Sequence, residues 1–298
     1  ASKVFQWVFP TSERATEVRP LVSVIVVTYN QEAYISQCLE SIVRQSISKD
    51  IEILVWDDAS SDGTPAILRE YSEKNSIPIK LFLQSENQMS KGIKIRQQLL
   101  PHASGRYVAY CDGDDYWLNP RKLELQVDFL EKNPAFSFTF HDATRVSESG
   151  GALAGGYLPH VLRRDFSVED LRLFRYQHML YGVLLHRNGP VEFPPEFELV
   201  TNTDNFFPEL LSSFGAAKFL PEAGPLAYRQ HRRGSFTGLD EIERFTSDVR
   251  TRLIISSYFL RKNPDRVMCL RFLQGYLLPM FSSWQGVISR RSGGAGGN

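Results

Sequence analysis

The sequence predicts an α/β fold: a mixed, mainly parallel sheet flanked by helices, followed by a C-terminal helical extension. Three observations predict it. Between residues 21 and 110, short apolar runs alternate with segments of helical periodicity. The connections between them are short, which favours right-handed βαβ crossovers and parallel pairing. The apolar runs are β-branched and lack polar alternation, as strands buried on both faces require.

The first run, residues 21–28 (LVSVIVVT), predicts a buried strand. Residues 32–46 then place Ile35, Leu39, Ile42 and Val43 at helical spacing. Residues 51–56 predict a second strand and 65–74 a second helix, with Pro65 in its first turn. A third strand over 79–83, a helix over 91–100 and a fourth strand over 107–110 (YVAY) continue the alternation. Residues 121–133 are helical up to Pro134, and 135–140 predict a strand ending at His141-Asp142. The Gly/Ser-rich stretch 147–156 is expected as a loop, 179–186 as a strand, 204–213 as a helix and 219–228 as a short bent strand segment. From Ile242 the chain is helical in two pieces, divided at Asn263-Pro264. The expected organisation is an N-terminal extension (1–20), a main domain (21–240), a C-terminal helical extension (241–292) and a flexible tail (293–298).

Composition narrows the class. The chain has 298 residues, 42% apolar and 23% charged, as an ordinary globular protein does. Net charge is zero, which argues against a nucleic-acid binder. From Arg229 onward there are 12 Lys/Arg against 5 Asp/Glu, leaving 22 and 29 for the first 228 residues. An acidic body and a basic C-terminal part point to an anionic surface or substrate near that end. Cys38, Cys111 and Cys269 are scattered, without CxxC or Cys/His spacing, so reduced thiols and no structural zinc are expected. No signal peptide and no spanning helix is expected, which suits a cytoplasmic protein.

Ligands of parallel sheets sit at the carboxyl ends of the strands. Three clusters fall there: Thr28-Tyr29-Asn30, Asp57-Asp58, and Asp112-Gly113-Asp114-Asp115 with Tyr116-Trp117 behind it. Asp57-Asp58 opens an acidic turn in which Asp62 or Thr64 is able to cap the next helix. Two carboxylates at a buried strand end also suit acceptance from a nucleobase N–H or a ribose hydroxyl. In the 112–115 run, three carboxylates within four residues repel one another, which a cation relieves. Hard oxygen ligands favour Mg²⁺ or Mn²⁺ over Zn²⁺. Gly113 lets the backbone turn sharply there.

Four segments carry a resemblance: VSVIVVTYNQEAYISQCLESIVRQS (22–46), ILVWDDASSDGT (53–64), SENQMSKG (85–92) and SGRYVAYCDGDDYW (104–117). Together and in this order they resemble the N-terminal half of inverting family 2 glycosyltransferases of the GT-A fold. The resemblance implies a nucleotide-binding half (21–117), an acceptor-binding half (118–240), and a nucleotide-sugar donor, most simply a UDP-sugar. It places Thr28 and Tyr29, with Asn30 beside them, against uracil and ribose, and has Asp58 accept from the base. Asp112 would serve ribose and metal, and Asp114 would ligate Mn²⁺ or Mg²⁺. The family's Pro before the Thr/Tyr position is Val27 here. Its Asn-x-Gly-x-x-x-Ala-Arg-Asn stretch survives as Asn87 and a displaced Gly92, with Arg96 standing in for its Arg.

In the second half, Asp204 of Thr203-Asp204-Asn205-Phe206 occupies the place of the family's general base, with Thr203 where a Glu is usual. An N-cap for the following helix is the structural alternative. The segment Tyr228 to Ser235 resembles the family's Tyr-Arg-x-His…Ser, which makes His231 a metal ligand and Arg229 and Arg232 phosphate candidates. Asp115, Trp117 and His178 are candidates for the acceptor side, and His141-Asp142 either lines that cleft or merely ends a strand. The implied acceptor is a hydroxyl of a glycan or lipid-linked glycan. The alternatives are a nucleotidyltransferase, which lacks its phosphate loop here, and a non-catalytic nucleotide-sugar-binding domain. The basic, apolar-striped helices after Ile242 suit packing on the domain, a protein partner, or peripheral contact with the inner face of a membrane.

Overall fold

The computed structural model describes residues 19–176, 179–232, 234 and 238–278. Its centre is strand β1 (Val22–Thr28), all seven residues of which are buried. Parallel neighbours flank it, β2 (Ile51–Asp57) on one side and β4 (Tyr107–Asp112) on the other. Strand β3 (Ile79–Leu83) continues the parallel pairing at the edge beyond β2. Beyond β4 come β9 (Leu185–Arg187), antiparallel to both neighbours, then β6 (Phe136–Phe140) and β10 (Ala216–Phe219). The order is therefore β10-β6-β9-β4-β1-β2-β3, the mixed and mainly parallel sheet expected.

Register decides where the chemistry goes. Thr28 is paired with Asp57, and Val27 with Asp112, so three strand ends finish side by side. A second, four-stranded sheet closes over this end. It contains β5 (Tyr116–Trp117), β11 (Leu226–Arg229), β7 (Ala143–Val146) and β8 (Ala152–Gly156), in that order.

Helices cover the large sheet. Helix α1 (Ile35–Val43) buries Ile35, Cys38, Leu39 and Ile42, a one-sided stripe at helical spacing. Helix α2 (Thr64–Lys74) follows the Asp57 turn, and α3 (Ile95–Leu99) is shorter than its periodicity predicts. A 3₁₀ turn over Met89–Lys91 ends in Gly92 at φ +84°, which delays the helix start. Helix α4 (Lys122–Lys132) is followed by four shorter or later pieces: α5 (Val168–Arg172), α6 (Pro195–Leu199), α7 (Phe207–Leu211) and α8 (Glu241–Lys262).

Several expectations need correction. The stretch 147–156 is not all loop, because its last five residues form β8 against β7. All five are exposed, so backbone bonds alone hold them and no apolar pattern announces the strand. Residues 179–186 contribute a strand only from Leu185, after a 3₁₀ turn over Tyr181–Val183. The bent segment 219–228 is divided between two strands of different sheets, β10 and β11, by a turn over Pro221–Ala223.

The C-terminal helices lie on their own domain. Asp240 caps α8 through a reciprocal bond pair with Glu243. Midway along, Thr251, Ile255, Tyr258 and Phe259 are buried. The Tyr258 hydroxyl donates to Glu209 at 2.9 Å, and Arg261 pairs with Glu196 through two 2.7 Å bonds. Helix α9 (Arg266–Phe272) folds back after Asn263-Pro264, and Phe272 stacks on Phe259 at 4.0 Å. Packing on the domain therefore accounts for this face. The N-terminal extension to residue 18 and the tail lie outside the described residues.

The turn after β2 stores strain. Ala59 sits at φ +65°, where a Cβ costs about 1–2 kcal/mol. Glycine relieves this but adds freedom to the unfolded chain, an offset of about 0.4–1 kcal/mol. Ala59→Gly is therefore expected to raise stability by about 1 kcal/mol at most, seen as a melting midpoint roughly 2 °C higher. A lower midpoint would show that the methyl group makes a contact worth more than the strain.

Candidate active site

The strand ends open into a cavity of about 300 Å³. Thr28, Tyr29 and Gln31 line it together with Asp112, Asp114 and Asp115 of the acidic loop, and with Arg96, Tyr181 and Asp204. Thr28 is buried and its hydroxyl has no hydrogen-bond partner among the described residues, while Tyr29 is 44% exposed at the mouth. A hydroxyl so placed is ready for a ligand.

The acidic loop is built by close backbone approach. Gly113 N donates to Val27 O at 2.9 Å. A Cβ at Gly113 would stand 2.9 Å from the Thr28 Cβ and collide with the Gln31 amide oxygen. Gly113 is thus required for closeness at this sharp turn, and its φ is not positive.

The three carboxylates of this loop have different partners. Asp112 forms an ion pair with Arg96, whose guanidinium lies 4.3 Å from the centre of the Tyr181 ring. Burial raises the Asp112 pKa, Arg96 pulls it back, and the neighbouring Asp114 raises it further. Asp114 Oδ2 lies 2.9 Å from His231 Nε2. Asp115 is buried and accepts the Arg229 backbone N–H at 2.9 Å; burial, then Asp114 and Asp112, push its carboxyl well up. Its place is structural.

Across the cavity, Asp204 occupies a 3₁₀ turn (Thr203–Asn205) before α7. It does not cap that helix, which begins at Phe207 without a side-chain cap. Its Oδ1 takes only the Asn205 N–H at 3.1 Å among the described residues. Burial pushes its pKa up to about 6, against the pull of Arg96. A carboxylate so poised accepts protons near neutrality.

Other expected site residues are engaged elsewhere. Asp57 accepts Ser60 N and Oγ at 3.1 and 2.5 Å. Asp58 is fully buried and takes the N–H groups of Gln88, Met89 and the Trp56 indole at 2.8, 3.0 and 3.2 Å. Both carboxylates therefore fix turns, Asp57 the acidic turn that it opens and Asp58 the distant one at Gln88 and Met89. Asn30, at φ +51°, accepts Ser61 N at 2.8 Å, and Asn87 accepts Ser90 N at 2.7 Å. Asn30, Asp58 and Asn87 do not line the cavity.

Trp117 is buried, donates to Gly182 O at 3.1 Å and carries the Lys122 ammonium 4.3 Å from its ring centre, so it faces the core and not an acceptor. Arg229 lines the cavity but is already engaged by the protein. Its guanidinium donates to Asp114 O, Glu148 O and Gln37 Oε1 at 2.9, 2.6 and 2.6 Å. Arg232 is exposed and does not line the cavity. His141 is buried at the end of β6, and burial pushes its pKa down to about 3, so it stays neutral there. His178 lies outside the described residues. Tyr157, Tyr181 and Tyr228 line the cavity, and no pattern in the sequence singles out the first two.

The donor set suits a hard divalent cation. Among the described residues no three His, Cys, Asp or Glu side chains gather into a cage of their own. Mg²⁺ and Mn²⁺ are commonly held through one or two carboxylates with substrate phosphates supplying the rest. Asp114 with His231, and Asp112 beside them, meet that description.

A mixed, mainly parallel sheet whose central strands end at an acidic loop, with helices on its faces, is the GT-A architecture of glycosyltransferases. Residues 23–182, more than half of the chain, match the profile of Glycosyl transferase family 2. The chain belongs to that family, which removes the nucleotidyltransferase alternative. An uncharacterised protein of Mycobacterium tuberculosis is 36% identical over 151 residues, 50% of this chain and 42% of the relative. The Escherichia coli protein WfgD, a UDP-Glc:alpha-D-GlcNAc-diphosphoundecaprenol beta-1,3-glucosyltransferase, is 40% identical over 114 residues, 38% of this chain and 42% of that protein. The chain spans less than half the length of these curated relatives. Residues 1–349 of S. aureus TarS, in complex with UDP-GlcNAc, share the fold with a TM-score of 0.66 at 22% identity, over 88% of this chain and 72% of that one.

Proposed function

We propose that the protein is an inverting glycosyltransferase that moves a sugar from a UDP-sugar to a hydroxyl of a glycan or lipid-linked glycan. One observation carries the reading: Asp204, with a pKa near 6, lines the same cavity as Arg96, Asp112 and Asp114, the last of which is paired with His231. The first group suits a proton acceptor and the others suit a diphosphate and its cation.

In this reading Thr28 and Tyr29 hold the nucleoside at the mouth. Asp58 shapes the base pocket from behind by fixing the backbone of Gln88 and Met89. Arg96 and the Asp112–Asp114 loop face the diphosphate. Asp204 takes the proton of the acceptor hydroxyl as its oxygen attacks the anomeric carbon from the face opposite the diphosphate. That direct displacement inverts the anomeric configuration and needs no covalent intermediate. A divalent cation held by Asp114 and His231, with Asp112 beside them, would neutralise charge on the departing diphosphate. The relative's UDP-glucose donor and the UDP-GlcNAc bound by TarS support the choice of uridine.

No helix among the described residues is long and apolar enough to cross a membrane. The exposed Leu253, Leu260, Val267 and Leu270 beside the arginines of α8 and α9 support peripheral contact with a membrane. Thermal unfolding with a panel of UDP-, GDP- and dTDP-sugars and Mn²⁺ tests the donor reading. A UDP-sugar at a hundredfold its Kd is expected to stabilise the protein by about 2.7 kcal/mol. Protection by none of them would overturn the proposal.

A further inference from the structure

A second cavity of about 350 Å³ lies behind the Arg96–Tyr181 wall of the first. The two share Val27, Met89, Arg96, Tyr181, Thr201 and Thr203, and Thr203 is the chain neighbour of Asp204, so the second cavity adjoins the first beside that carboxylate. Its walls are of a different kind. Phe193, Phe197 and Phe207 give it an aromatic interior, and Met89, Ile93 and Leu199 are 46%, 38% and 57% exposed. Apolar side chains left open at a cavity mouth mark a place for an apolar ligand.

Charge is superimposed on this apolar surface. Lys94 and Arg250 line the cavity, and neither forms an ion pair among the described residues. Glu198 is the one carboxylate in the lining. The three sense one another: burial lowers the Lys94 pKa, Glu198 pulls it up, and Arg250 pushes it down again. Arg96 adds no free charge, being committed to Asp112.

Two buried polar atoms in the lining also lack hydrogen-bond partners. Arg96 Nε is a donor and Gln97 Oε1 an acceptor, and they lie on adjacent residues. Buried polar groups are rarely left so, which points to a ligand bringing an anionic oxygen for the one and a hydroxyl for the other. The cavity thus asks for a hydroxylated ring, an anion and an apolar chain in one molecule.

We propose that this second cavity receives the acceptor as a glycosyl phosphate bearing an apolar chain, its sugar near Gln97 and Thr203, its phosphate at Lys94 and Arg250, and its chain across Met89, Ile93 and Leu199. The inference rests on the transferase reading above and fixes the class of acceptor within it. Arg250 belongs to α8, so the C-terminal helix that braces the domain also completes the site.

Dodecyl phosphate, below its micelle concentration, is a probe for the phosphate and chain. Calorimetric titration is expected to show it binding at least tenfold more tightly than either inorganic phosphate or dodecyl maltoside. The double variant Lys94→Met/Arg250→Met, which keeps the apolar stems, is expected to lose that tenfold advantage while keeping its thermal protection by nucleotide-sugars. Equal binding of inorganic phosphate would reduce the site to a simple anion site and overturn the proposal. So would equal binding of the neutral surfactant, or binding only to phosphatidylglycerol vesicles and not to the single amphiphile. Loss of nucleotide-sugar protection in the wild type, with dodecyl phosphate still bound, would sink the donor reading alone.

Discussion

Asp204→Asn is expected to lower kcat by roughly 10²–10⁴-fold, the usual worth of a positioned general base. The substitution preserves shape and leaves the Asn205 N–H an acceptor, so folding and donor binding are expected to survive. The pH profile gives an independent check. Below about pH 6 the Asp204 carboxyl holds its proton and cannot accept another; above it the carboxylate is free to do so. Turnover is therefore expected to rise with pH through an inflection near 6 and then level off. Asn at 204 should abolish that limb along with most of the rate. A variant with full turnover and an unchanged profile would place the base elsewhere.

The second large effect is expected at Asp114. Removing one group that stabilises developing charge costs about 10²–10³-fold in other enzymes. Asp114→Asn should lower kcat/KM by that order, and His231→Gln, which removes the partner of the same carboxylate, by about 10–100-fold. Binding separates this from a folding defect. Wild-type protection against unfolding by the nucleotide-sugar should increase when Mn²⁺ is added, and that increment should vanish in Asp114→Asn. An increment of full size in the variant would exclude Asp114 from the cation.

Much of the first half was legible because its strands are buried on both faces. The run 21–28 has no other physical use than a central strand, and its end locates Thr28 and Tyr29 in the cavity. The acidic loop was legible for the same reason, as it follows the buried β4. Asp58 was not. Its partners at Gln88 and Met89 lie about thirty residues away, so the sequence shows a surplus carboxylate and hides the N–H groups that need it. Trp117 failed similarly: its place beside the acidic loop suggested a ligand contact, while β5 pairing turns it inward to Gly182. The second sheet escaped altogether where its strands are two residues long or fully exposed, because pairing there leaves no periodic trace.

Arg229 joins pieces of chain that are distant in sequence: the acidic loop at Asp114 and Asp115, the β7–β8 turn at Glu148, and α1 at Gln37. Its ring contacts with Tyr34 and Tyr116 complete the brace. The ordering of the acidic loop is thus accomplished at folding, and a ligand arriving there finds the carboxylates already aimed. Little further freedom would then be lost on binding at this loop, and affinity there is expected to follow chemical match. A lysine at 229 would keep the charge and forfeit the fork that holds these segments at once. What resembles a phosphate-binding arginine is also a fastening between the acidic loop, the β7–β8 turn and α1.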